Sequence, residues 1–177
     1  MLLCTSALYS EAPPAQDPYA ELWQGYAVEW GHVTQQLAAL AEVIPADKYG
    51  WRPAPGVRSV SEVLMHIATA NLGLLSYTNP KSPETQRAVE GLQINANTEK
   101  TVTNKADVIE WLKRSFEAVR TARAALKPAD FNRKVKMENR DGTVDGIYLR
   151  IIVHANEHMG QLVAYARMNG IMPPWSQ

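Results

Sequence analysis

The segment HANEHMGQL, residues 154–162, carries two histidines four positions apart. Side chains at this spacing lie on one face of a helix, about 6 Å apart at their Cβ atoms, so the imidazoles of His154 and His158 can converge on one metal ion. Both interrupt the apolar stripe of a helix that is expected to be buried, where an unpartnered imidazole would cost about 1–3 kcal/mol in lost hydration. The pair is therefore predicted to supply two ligands of a metal site.

The same segment also matches the H-x-x-E-H pattern of inverted zinc peptidases. Such an enzyme takes a carboxylate as its third ligand from well downstream of the histidine pair, and residues 159–177 contain neither aspartate nor glutamate. Glu157 is rotated about 100° from His158 around the helix and is predicted to face solvent or a neighbouring helix. The peptidase interpretation is therefore disfavoured.

A third ligand is expected from another helix, because catalytic metal sites commonly have three protein ligands and keep one position for water. His66, in SEVLMHIATANLGLL, lies among residues that look like core and is the best candidate. The alternative for His66 is a structural role, with a hydrogen bond to a backbone carbonyl or a hydroxyl. His32 falls off the apolar stripe of its own helix and is predicted to face solvent or to make a local hydrogen bond.

Apolar periodicity and capping signals predict four long helices and little sheet. The first is expected to begin at Asp17-Pro18 and to end before Pro45, and the second follows an S-x-x-E capping box and covers about residues 60–77. The inward stripe predicted for the first helix comprises Leu22, Tyr26, Val33, Leu37, Leu40 and Ile44. The predicted boundaries are Asn104 and Pro128 for the third helix, and Thr143 and Asn169-Gly170 for the fourth.

Two connecting regions are also predicted from local composition. Residues 81–103 are expected to form a polar loop that can contain a short helical turn. Between the third and fourth helices, residues 131–137 alternate enough to be extended, and Asp141-Gly142 is predicted to form a turn.

The fold predicted for residues 17–177 is an all-α four-helix bundle, whose connections of about 15 and about 25 residues are long enough to cross over. Residues 1–16 are predicted to be an N-terminal extension. Their short apolar patch and Ala- and Pro-rich continuation resemble the end of a secretory signal without its basic beginning, and a plain extension is the alternative. The compartment is left open: cytoplasm by default, and export if the start is a truncated signal peptide.

Composition excludes several classes of partner. Lysine plus arginine and aspartate plus glutamate both number 18, and no basic run is present, so neither nucleic acid nor an anionic membrane surface is expected to bind. No apolar stretch approaches the roughly 18 residues of a membrane span. Cys4 is the single cysteine of this sequence, which confines soft-metal chemistry largely to imidazole and carboxylate.

SVSEVLMHIATAN, followed far downstream by HANEHMGQLVAYARMNGIMPPWS, resembles the DinB-like superfamily of bacterial metal-binding four-helix bundles, and the likeness covers about residues 17–176. Its most specific parts are the lone histidine of the second helix, the H-x-x-x-H-x-G-Q-L run of the fourth and the closing N-G-x-x-P-P-W-S. The resemblance implies that His66, His154 and His158 hold a divalent metal ion. Because such a site offers only nitrogen ligands, Zn, Ni or a similar first-row ion is expected. The resemblance also implies a homodimer.

Characterised members of this superfamily include thiol-dependent enzymes that use bacillithiol or mycothiol, such as transferases and a maleylpyruvate isomerase. The resemblance therefore implies a metal-dependent enzyme that acts on a small molecule, either by transfer involving a low-molecular-weight thiol or by hydrolysis. Two alternatives stay open. One is a non-enzymatic metal-binding or interaction protein whose site is closed by a fourth ligand or by bulky side chains, and the other is a bundle whose histidines are only structural.

Gln161 is a candidate supporting residue because it lies three positions after His158 on the same helix. It is predicted to orient an imidazole or to hydrogen-bond a metal-bound ligand, and a helix-packing contact is the alternative.

Overall fold

The computed structural model describes residues 20–176, in which four long helices form a bundle. The helices are α1 (Ala20–Val43), α2 (Val60–Ser76), α3 (Pro83–Val89), α4 (Thr98–Thr101), α5 (Lys105–Ala124), α6 (Pro128–Phe131) and α7 (Val144–Met168). Helices α1 and α2 each pack against both α5 and α7, so α1 and α2 occupy opposite corners of the bundle. The all-α fold with crossover connections is therefore confirmed. The predicted start at Asp17-Pro18 and the extension over residues 1–16 lie outside the described residues.

The inward stripe of α1 is confirmed from Tyr26 to Ile44 but not at Leu22, whose side chain is 64% exposed. The neighbouring Trp23 takes the contact instead, because its ring stacks on Phe131 of α6 with the centroids 4.2 Å apart. Leu22 is rotated by about 100° from Trp23 and so points away from the bundle.

Within residues 20–176, no helix combines the length and the apolarity that crossing a membrane would require.

The two helices that carry the candidate ligands have well-defined ends. At the start of α2, the Ser59 hydroxyl accepts from the Glu62 amide, and the Glu62 carboxylate accepts from the Ser59 amide. At the end of α7, Gly170 adopts a φ of 73°, and the amide of Ile171 donates to the Ala166 carbonyl at 2.9 Å. A glycine reaches this left-handed conformation without steric cost, so the predicted stop at Asn169-Gly170 is confirmed.

Replacing Glu62 by glutamine is expected to lower the free energy of unfolding at neutral pH by about 0.3–1 kcal/mol, because a negative charge near the helix N-terminus is lost. Burial alone would raise the pKa of this carboxyl, but the Ser59 amide and the Arg52 guanidinium hold the pKa below its usual range. A carboxyl with a lowered pKa in the folded state stabilises the fold above its unfolded-state pKa, and this contribution is lost as the pH falls through the folded value. Urea unfolding of both proteins at neutral pH and at about pH 3 checks this, since their difference in stability should shrink at the lower pH. A difference that stays constant would contradict it.

The predicted polar loop contains two helices rather than one turn. Helix α3 begins where the Ser82 hydroxyl accepts from the amide of Thr85, with Pro83 in the first helical position. Helix α4 is a single turn that packs on α2 and carries Glu99. Because α4 is held by tertiary contacts rather than by its own length, its position could not be inferred from local composition.

The turn predicted at Asp141-Gly142 is wrong. Strands β1 (Lys134–Met137) and β2 (Arg140–Thr143) pair antiparallel, and the chain reverses at residues 138–139, where Glu138 has a φ of 51°. Gly142 lies within β2, opposite Val135. A Cβ atom on Gly142 would lie 3.3 Å from the Cε atom of Met137, so this glycine makes room for a packed side chain rather than for a turn.

Candidate metal centre

Three imidazoles from two helices meet at one point. Helix α2 supplies His66, and α7 supplies His154 and His158. The Nε2 atom of His154 lies 3.1 Å from Nε2 of His66 and 3.2 Å from Nε2 of His158. One ligand atom from each residue lies within 4.8 Å of the others. The structure thus brings together the three histidines nominated from the sequence, whereas His32 is exposed on α1, as predicted.

Two of the three nitrogen–nitrogen separations suit ligands of a single ion. With metal–nitrogen bonds of about 2.0–2.1 Å, two ligand nitrogens are about 2.9 Å apart at a right angle and about 3.4 Å apart at the tetrahedral angle. The distances of 3.1 and 3.2 Å from Nε2 of His154 lie between these limits, and the ligand atoms of His66 and His158 lie within 4.8 Å of each other. Nitrogen donors from neutral imidazoles fit Zn²⁺, Ni²⁺ and similar first-row ions. The residues present therefore fit a divalent transition-metal ion.

His154 is the most buried of the three histidines, with 6% of its surface exposed. Burial, together with the neighbouring imidazoles of His158 and His66, lowers the pKa of His154 to about 4. Its ring is therefore neutral at pH 7 and keeps a lone pair for a metal ion. Its Nδ1 atom is buried without a hydrogen-bond partner among the described residues, so no neighbouring group fixes the tautomer of this ring.

The other two imidazoles are each oriented by an acceptor at the opposite ring nitrogen. Nδ1 of His66 donates to Oε1 of Glu99 at 2.7 Å, and Nδ1 of His158 donates to Oε1 of Gln161 at 2.8 Å. A carboxylate and an amide oxygen only accept, so both rings carry their proton on Nδ1 and direct the Nε2 lone pair toward His154. Metal-binding histidines are typically held in this way. Of the two roles predicted for Gln161, the structure shows the orientation of an imidazole.

Glu99 is the member of the site that was not predicted from the sequence. It lies on the short helix α4, 33 residues from His66, in a region predicted as loop. Burial alone would raise the pKa of the Glu99 carboxyl, but hydrogen bonds from His66 and Arg58 hold the pKa below its usual range. The carboxylate is therefore charged at neutral pH, which strengthens its hydrogen bond to the imidazole. No local motif marks an acid that acts over this sequence distance.

The cluster reaches the protein surface on one side. His66 and His158 are half-buried, and within residues 20–176 no cysteine, carboxylate or further histidine joins the three as a ligand. Glu157 is exposed and forms an ion pair with Arg150 at 3.7 Å, so it faces away from the cluster, as predicted. The glutamate of the H-x-x-E-H segment is therefore not part of the cluster, in addition to the missing downstream carboxylate.

Comparison with known proteins supports the same fold. The family model described as the DinB superfamily matches residues 29–162, a range that includes all three histidines. The crystal structure of a DinB-like protein from Bacillus cereus ATCC 10987 is 20% identical, with a TM-score of 0.71, and covers 85% of this chain and 95% of the other. A DinB-like protein from Bacillus subtilis is 21% identical, with a TM-score of 0.60, and covers 82% and 92%. No curated protein matches the chain.

Proposed function

The chain belongs to the DinB superfamily, and from this membership and its three-histidine cluster we propose that it is a metal-dependent enzyme acting on a small molecule. The observation that carries the proposal is the convergence of three imidazole nitrogens at a point that is accessible from the surface. A site with three protein ligands leaves at least one coordination position for a substrate or water. We propose Zn or Ni as the ion.

The chemistry proposed for this site is the activation of a nucleophile. A divalent ion with three neutral ligands keeps its positive charge, which lowers the pKa of a bound thiol or water toward neutrality. The chain's own residues hold the ligands for this purpose, since Glu99 and Gln161 accept the Nδ1 protons of His66 and His158. The buried ring of His154 closes the inner side of the site to solvent.

Thiol-dependent transfer is the reaction that superfamily membership favours, and hydrolysis is the second candidate. In the transfer, the sulfur of a low-molecular-weight thiol bonds to an electrophilic carbon of the second substrate. The leaving group departs with its bonding electron pair, and the thiol proton is released to solvent or to the leaving group.

Cobalt substitution tests whether the proposed site has an open position. The visible absorption of protein loaded with Co²⁺ is expected to change when a low-molecular-weight thiol is added, because the thiol becomes a ligand of the ion. A His158→Ala variant, which lacks one ligand, should not give the same spectrum. A stoichiometric cobalt complex whose spectrum does not respond to thiols would indicate a closed, non-enzymatic metal site.

Turnover is the direct test of the enzyme proposal. Metal-loaded protein purified without a histidine tag is mixed with low-molecular-weight thiols plus electrophiles, and separately with esters. We expect product with one of these sets, and loss of activity after chelation. Full metal occupancy without turnover on either set would favour the non-enzymatic alternative.

The homodimer stays a prediction that sedimentation velocity of the full chain can test.

A further inference from the structure

Arg58 precedes the N-cap residue of α2 and is connected to two of the three imidazoles by separate chains of hydrogen bonds. We propose that Arg58 is a positioning residue of the metal centre, holding His66 through its side chain and His158 through its backbone carbonyl. This inference rests on the proposed metal site. It concerns how the chain prepares the ligands and does not depend on which reaction follows.

The side-chain connection passes through Glu99. Nε of Arg58 donates to Oε2 of Glu99 at 2.9 Å, and the other oxygen of the same carboxylate accepts from Nδ1 of His66 at 2.7 Å. A guanidinium can only donate, and a carboxylate can only accept. The direction of both bonds is therefore fixed, and His66 must present the Nε2 lone pair to the site. Arg58 also anchors the Glu99 side chain, whose helix α4 has just four residues.

The carbonyl connection passes through two side chains of α7. Oη of Tyr165 donates to the Arg58 carbonyl oxygen at 3.2 Å and accepts from Nε2 of Gln161 at 2.8 Å. Because a carbonyl can only accept, the hydroxyl uses its single proton there and must accept from the amide nitrogen. The amide oxygen of Gln161 then points to Nδ1 of His158, 2.8 Å away. The Arg58 carbonyl therefore sets the direction of each hydrogen bond from Tyr165 through Gln161 to His158.

Arg58, at the start of α2, is thus hydrogen-bonded to both α4 and α7 beside the site. The third imidazole has no such connection, since Nδ1 of His154 is buried without a partner among the described residues. Arg58 is therefore expected to govern His66 and His158 but not His154. The two connections can be broken separately, because a substitution at position 58 removes the guanidinium and keeps the carbonyl.

Nitrogen-15 NMR of the histidine rings tests this in protein stripped of metal, at a pH where the imidazoles are neutral. In Arg58→Ala, His66 is expected to lose its preference for the Nδ1–H tautomer while His158 keeps it. In Tyr165→Phe, the amide of Gln161 is released and the opposite pattern is expected. Each variant should also bind Zn²⁺ about 10- to 100-fold more weakly in competition with a chelator, as is typical for outer partners of metal ligands.

Matched variants separate positioning from general damage. Arg120→Ala removes an arginine that pairs with Glu117 at 2.6 Å on α5 and contacts none of the imidazoles, and Tyr49→Phe removes a buried hydroxyl bonded to the Ala41 carbonyl. Both should keep the tautomers and the Zn²⁺ affinity of the original protein. Arg58→Lys, which can still donate to Glu99, should restore most of the His66 preference.

The proposal is overturned if Arg58→Ala leaves His66 in the Nδ1–H tautomer, or if Arg120→Ala disturbs the rings equally. The tautomer measurement needs no bound metal. A protein with the expected tautomers that binds no ion would therefore contradict the proposed function while supporting the role of Arg58.

Discussion

Replacing His154 by alanine is expected to abolish stoichiometric metal binding. Both close nitrogen–nitrogen distances in the cluster, 3.1 and 3.2 Å, involve Nε2 of His154, so its removal leaves two imidazoles on different helices. The loss of affinity should exceed the roughly 10- to 100-fold cost of losing an outer partner of a ligand. Elemental analysis after purification without a histidine tag, followed by chelator competition, measures the effect.

His32→Ala is the matched control for this variant, because it removes an exposed histidine of α1 that lies outside the cluster. It should retain the metal content and affinity of the original protein. Metal that is substoichiometric and does not decrease in His154→Ala would instead favour purely structural histidines.

Replacing Ile151 by alanine is expected to lower the free energy of unfolding by about 2–5 kcal/mol, the usual cost of truncating a buried aliphatic side chain. Ile151 is fully buried in the core and lies on α7, three residues before His154. Because α7 carries two of the candidate ligands, a cavity at this position should also weaken metal binding. Urea unfolding of the metal-free protein gives the stability change.

Val153→Ala is the control for this prediction, since Val153 lies on the same helix and is 48% exposed. Its effect should stay within about 0.5 kcal/mol, as for most surface substitutions. Similar losses of stability for the two variants would mean that α7 presents a different face to the core. The positions of His154 and His158 relative to His66 would then also be wrong.

The sequence by itself determined the features that depend on neighbours within one or two helical turns. The capping box of Ser59 and Glu62, the stop at Gly170 and the common face of His154 and His158 all follow from local geometry, and the structure confirms each of them. Local patterns failed where packing overrode them. Leu22 is exposed because Trp23 takes its contact, and Gly142 lies in a strand under Met137.

Only the tertiary structure decided how distant residues combine into a site. His66 could be nominated from its setting and from family resemblance, but it is 88 residues from His154, and the packing of α2 on α7 brings their Nε2 atoms to 3.1 Å. Glu99 and Arg58 gave no signal, because their roles depend on α4 and the start of α2 meeting at the same point. Capping and periodicity act over a few residues, whereas the meeting of these side chains depends on how whole helices pack.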